Sequence, residues 1–107
     1  MTMSEATRIT EKTRKRVRQR DSIEGAPCCI YCGSPYGIQI AHYVPRSQGG
    51  IGEETNLACL CVLCHSRLDN GNDPKEAARI KETFRWWLER NYPGWTEEDQ
   101  IYRKGKE

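Results

Sequence analysis

The chain has 107 residues, 36% of them apolar and 30% charged. That is the size of one small domain, with too little apolar material for a large core, and small cores usually need a staple such as a metal or disulfides. No apolar run approaches the ~20 residues that span a bilayer, so a membrane-spanning protein is excluded. The net charge of +2 is unevenly spread: residues 1–20 carry seven cations against two acids, net +5, and the other 87 carry ten against thirteen, net −3. A basic arm on a mildly acidic body points to a polyanion, of which nucleic acid is the usual one; a solvated helix face is the plain alternative.

In chain order, residues 5–20 hold good helix formers and neither Gly nor Pro, which predicts a helix capped by Ser4. It carries few apolar residues (Ala6, Ile9, Val17), so it is expected to contribute little core and to depend on a partner for order. Lys12, Arg14, Lys15, Arg16, Arg18 and Arg20 are its candidate phosphate contacts. The opening residues MTMSEATRITEK contain no apolar stretch of the kind a secretory signal needs, so a cytoplasmic protein is expected.

In a reducing compartment clustered cysteines bind metal more often than they form disulfides. Six are present, at 28, 29, 32, 59, 61 and 64. Cys29-Ile-Tyr-Cys32 and Cys61-Val-Leu-Cys64 have zinc-knuckle spacing, in which two tight turns aim four thiolates at one ion. Gly33 supplies the permissive backbone such a turn needs. Cys28-x3-Cys32 is the alternative first pair, and Cys59 reads as a small apolar strand residue. Cys61-Val-Leu-Cys64-His65 also matches a haem-attachment pattern, but that reading leaves the first pair without a purpose and the only methionines are Met1 and Met3.

Residues 38–44 alternate as a strand closed by Pro45; a glycine-rich loop follows, then a short strand over 56–60. A helix is predicted from Val62 to Asn70 with Gly71 as its stop, and another from Pro74 to Asn91 with Asp73 as its N-cap. Ala77, Ile80, Phe84, Trp87, Leu88 and Asn91 form the packing stripe of the last helix. Trp86 lies off that stripe, covered either by the tail around Trp95 and Tyr102 or by a second copy of the chain. Thr96 is placed to cap a last short helix.

The span from His42 to His65 holds both histidines of the chain. It reads His42-Tyr-Val-Pro45-Arg46-Ser47-Gln48-Gly49-Gly50, then Asn56-Leu57, then Leu60-Cys61-Val-Leu-Cys64-His65. Over residues 28–70 this resembles the HNH endonucleases of the ββα-metal fold, in the subgroup interwoven with a four-cysteine zinc site. The resemblance implies an α+β fold: a small zinc-stabilised ββα-metal (HNH) domain with flanking N- and C-terminal helices. The expected division is a basic helical arm over 1–20, the nuclease domain with its packing helix over 21–92, and a tail over 93–107.

The resemblance also implies chemistry. His42 is the general base that takes a proton from water, since an imidazole near pKa ~6.5 is neutral at pH 7. His65 is the ligand of a catalytic divalent ion, Mg²⁺ or a transition metal, on the scissile phosphate. Asn56 either orients the loop that carries the base, the role favoured here, or contributes to the metal shell. Arg46 and Arg67 flank the histidines and hold phosphate. Cys29, Cys32, Cys61 and Cys64 hold a structural Zn²⁺ kept apart from catalysis. The implied substrate is DNA, cut to a 5′-phosphate and a 3′-hydroxyl, with a homodimer and phage packaging or restriction partners as further expectations. In many sequences of the family Asp or His, a metal ligand, precedes the base; here that residue is Ala41. The competing readings are a zinc-stabilised module that binds nucleic acid without cutting it, and a protein-interaction module working through Trp86 and Trp95.

Overall fold

Two caps divide the N-terminal segment. Thr2 accepts the amide of Glu5 and Glu5 reaches back to the Thr2 amide, a capping box that starts α1 (Met3–Thr7). Thr10 accepts the amide of Thr13 and starts α2 (Glu11–Arg20). The single helix expected from Ser4 is therefore two, with Arg8 in extended conformation between them. The computed structural model describes residues 1–103; the end of the expected tail, 104–107, lies outside the described residues.

After a two-residue hairpin of β1 (Ser22–Ile23) and β2 (Ala26–Pro27), the chain forms the hairpin that organises the protein. β3 (Ile38–His42) pairs antiparallel with β4 (Leu57–Cys61), with Ile38 opposite Cys61 and His42 opposite Leu57. Every residue of β4 is buried, because both of its faces are covered. On one face Leu57 and Cys59 meet Val17 of α2, with Ile9, Ile38 and Ile40 around them. On the other, Ala58 and Leu60 join Tyr43 and Val44 against Ile80, Phe84 and Leu88. The period-two alternation of a strand sends successive side chains to these two cores. Val17 is fully buried, so the basic helix is docked on the hairpin rather than free of it.

The C-terminal helices follow the sequence signals closely. α3 (Val62–Asn70) runs directly out of β4, with the Cys61 sulfur accepting the Cys64 amide at its first turn. α4 (Pro74–Asn91) starts at Asp73, whose Oδ1 accepts the amides of Lys75 and Glu76. Its Ile80, Phe84 and Leu88 are each 1% exposed or less, and burial of such side chains contributes about 1.5–3 kcal/mol apiece. Tyr43 stands edge-on to Phe84 and to Trp95.

The tail returns across the loop after β3. Ile101 bridges Gly50, and the Tyr102 amide donates to the Gly49 carbonyl. Gly50 must be glycine there: a Cβ would lie 1.7 Å from the Val44 carbonyl oxygen. Trp95 and Tyr102 are thus engaged elsewhere, and Trp86 stays exposed, with Arg90 over its ring.

Candidate metal centre and active site

The first knuckle turns at Gly33, which has a positive φ of 80°. The second is the junction of β4 and α3. Together they bring the ligand atoms of Cys29, Cys32, Cys61 and Cys64 to within 4.8 Å of one another. The sulfurs of Cys32 and Cys61 are 3.7 Å apart; four thiolates at ~2.3 Å from a tetrahedral ion would be separated by about 3.8 Å. Burial and the neighbouring sulfurs of Cys61 and Cys29 push the Cys64 thiol upward, a penalty that a divalent cation at the centre removes. These four residues are placed to hold a metal ion. Cys28 instead donates to the Ala26 carbonyl. Cys59 is fully buried in the α2-facing core, and burial together with Asp21 raises its thiol to about 12.

His42 ends β3. Its Nε2 is 3.2 Å from the main-chain carbonyl oxygen of Thr7, at the end of α1. A carbonyl only accepts, so Nε2 carries the proton and the lone pair is on Nδ1. Burial lowers the pKa of this half-buried ring; the Thr7 carbonyl opposes that, and Arg46, His65 and Arg14 lower it further. The ring is neutral at pH 7, and its Nδ1 has no hydrogen-bond partner among the described residues.

Asn56 explains why β3 stops where it does. Its fully buried side chain takes the Val44 amide on Oδ1 and donates Nδ2 to the carbonyls of Val44 and Ile51. The amide group replaces a ladder partner and clamps the loop behind His42. With its polar atoms so engaged, it is a loop anchor.

His65 lies on α3. Its Nδ1 is 2.7 Å from Oε1 of Gln39, and its Nε2 is 3.1 Å from Oδ2 of Asp69. The ring is about one quarter exposed. Both histidines are open to solvent in part. Ala41, between Gln39 and His42 in sequence, is packed into the core at 1% exposure and offers no donor.

Residues 29–71 match the family model described as HNH endonuclease. This segment is similar to that family's domain. None of the curated proteins matches the chain. The match begins at the first knuckle and ends with α3, so it takes in the cysteine tetrad, His42, Asn56 and His65 and leaves α1, α2 and α4 outside.

The cations around this segment divide into groups. Arg46 and Arg14 act on His42, and Arg46 Nε lies 3.4 Å from the Thr7 hydroxyl. Lys12, Lys15 and Arg18 line a shallow groove of about 600 Å³ between α2 and the small hairpin. Arg16 faces Glu54 at 3.5 Å and Arg67 faces Glu76 at 3.3 Å. Arg20 departs from the expected phosphate contact. Its guanidinium turns inward, bonded to both oxygens of Asp21, to the carbonyls of Glu54 and Leu57, and to Tyr92. Asp21 in turn accepts the Cys59 amide and the Trp87 indole. This buried pair ties α2 to β4 and α4.

Four residues around the site escaped the sequence: Thr7, Asp21, Gln39 and Asp69. Only Asp69 carried a signal, since it stands four residues after His65 and so shares a helix face with it.

Proposed function

We propose that the protein is a metal-dependent endonuclease that hydrolyses DNA phosphodiester bonds. The observation that carries this reading is the state of His42: a neutral imidazole inside an HNH segment, its Nε2 proton given to Thr7 and its Nδ1 free. Such a group takes a proton from water as it attacks phosphorus, a contribution typically worth 10²–10⁴-fold. Arg46 and Arg14, beside it, are suited to hold the substrate phosphate and counter its charge. Asn56 keeps the loop from shifting and so keeps the base aimed. His65 is the residue that would hold a divalent ion, and such an ion, when bound, supplies charge neutralisation at the scissile phosphate and at the leaving oxygen.

The cysteine tetrad is read as a structural zinc site, closed by four thiolates and therefore unsuited to substrate. The basic faces of α2 are read as the sequence-tolerant phosphate contacts, with specificity carried elsewhere.

The test is nicking of supercoiled plasmid by the purified protein with Mg²⁺, Mn²⁺ or Ni²⁺, beside His42→Ala. Cleavage that depends on His42 is expected, leaving 5′-phosphate ends. Ala41 favours one other reading, a module that binds DNA and does not cut it. DNA binding with no cleavage under any ion would establish that reading instead.

A further inference from the structure

The three indoles of the chain are used differently. Trp87 donates to the Asp21 carboxylate and Trp95 to the Thr55 carbonyl. Trp86, beside Trp87 on α4, has no acceptor for its N–H among the described residues and is 54% exposed. It lines an open groove of about 400 Å³ between α4 and the first knuckle, together with Arg79, Glu82 and the half-buried Tyr31.

Charge narrows what fits there. Lys75, Arg79, Trp86 and Arg90 recur at helical spacing and share one face of α4. All three cations are exposed. Glu76 and Glu89 of the same helix pair with Arg67 and Arg85, whereas no ion pair joins Lys75, Arg79 or Arg90 among the described residues. Glu82 is the one acid lining the groove, so three cations stand against one acid, net +2. The Arg90 guanidinium lies 5.4 Å from the Trp86 ring centre, which places a cation beside the aromatic face. The stripe holds no aliphatic residue, so a protein partner would find little apolar surface to cover. A duplex hides the faces of its bases and leaves an indole nothing to stack on. An unpaired strand offers both a flat π-face and a phosphate at every nucleotide.

We infer that this face of α4 is a binding site for single-stranded nucleic acid. An unpaired base stacks on Trp86 in the groove beside Tyr31, and Lys75, Arg79 and Arg90 hold the neighbouring phosphates. Apart from Tyr31, the site lies outside residues 29–71, and its binding does not depend on whether the protein cuts DNA.

The test is binding of a short oligothymidylate to the metal-loaded full chain, at low salt and with no added divalent ion. Tryptophan emission is expected to fall and to saturate with the strand. Trp86→Phe should remove most of that quenching. Trp86→Ala should weaken oligothymidylate binding about fivefold or more and leave the affinity for a duplex of equal length unchanged. Arg79→Gln should lower the slope of log affinity against log salt by about 0.7. Both side chains are exposed, so circular dichroism and the thermal transition of these variants should match wild type. Wild-type oligothymidylate affinity in Trp86→Ala, an equal loss for single strand and duplex, or no saturable quenching would each overturn the inference. A dimer in sedimentation that Trp86→Ala dissolves would also overturn it and give this face to a second copy of the chain. Loss of single-strand binding in Trp86→Ala supports the site whether or not the protein nicks plasmid.

Discussion

The Nε2 of His42 and the carbonyl oxygen of Thr7 lie 3.2 Å apart across 35 residues of chain. The ring sits in the segment that matches the HNH endonuclease model, residues 29–71, and the carbonyl outside it, on α1. Around this contact α1 is tied down twice more: Gly52 donates to the Ala6 carbonyl, and the Tyr102 hydroxyl donates to that of Met1. The orientation of the His42 ring thus depends on a segment with no motif of its own.

Deleting residues 1–10 should therefore lower the cleavage rate about tenfold or more, as a general base loses its fixed tautomer and direction. Thr7→Ala keeps the carbonyl and loses only the hydroxyl, so its rate should stay within about threefold of wild type. Single-turnover cleavage of a short duplex, with binding measured separately, checks both. Equal rates for the deletion and the full chain would detach α1 from catalysis.

The pH dependence has a definite sign. Burial lowers the His42 pKa from the ordinary 6.5, so the imidazole stays neutral somewhat below that pH. The acid limb of the cleavage rate should have its midpoint below 6.5. The same shift affects stability: between the folded value and 6.5 the unfolded chain binds more protons, so His42's contribution is complete above 6.5 and is lost as the pH falls toward the folded value. A pH–rate profile and urea melts between pH 5 and 8 measure the two effects, and in His42→Gln the stability slope should flatten.

Removal of the structural ion should unfold the domain. Apparent binding free energies of structural zinc, ~10–16 kcal/mol, match or exceed the whole stability of a typical domain, about 5–15 kcal/mol. Cys29→Ser or Cys64→Ser, or a strong chelator, should abolish the cooperative thermal transition. Cys28→Ser should cost no more than about 1 kcal/mol, because a serine hydroxyl can take over the hydrogen bond of its sulfur to the Ala26 carbonyl. Calorimetry with zinc analysis distinguishes the cases.

Two cations of one helix should behave in opposite ways. Lys15→Ala should weaken DNA binding and reduce the slope of log affinity against log salt by about 1. Arg20→Ala should leave that slope unchanged and destabilise the fold by about 3–5 kcal/mol, because it strands the buried Asp21 carboxylate. Salt-titrated binding and denaturant unfolding of both variants check this.

The sequence alone was enough for much of the local structure. The cysteine spacing picked out the four sulfurs that converge. Asp73, Pro74 and Gly71 marked helix boundaries through capping and through the fixed φ of proline. The stripe from Ile80 to Leu88 marked the packing face, because a helix repeats every 3.6 residues. The outer ends were less legible. Caps at Thr2 and Thr10 compete with Ser4 on equal local chemistry, and only the docking of α1 over the loop, through Ala6, Thr7 and Gly52, selects between them.

What only the tertiary structure decided is which polar groups meet. Arg20 looks like its neighbours Arg16 and Arg18 in a basic run, yet burial of Asp21 beside β4 turns it inward. His42 acquires its tautomer from Thr7, and His65 acquires its two acceptors from a neighbouring strand and from its own helix. The composition of a segment sets its charge and its periodicity; the direction of a hydrogen bond is set by whatever distant backbone the fold brings to within about 3 Å.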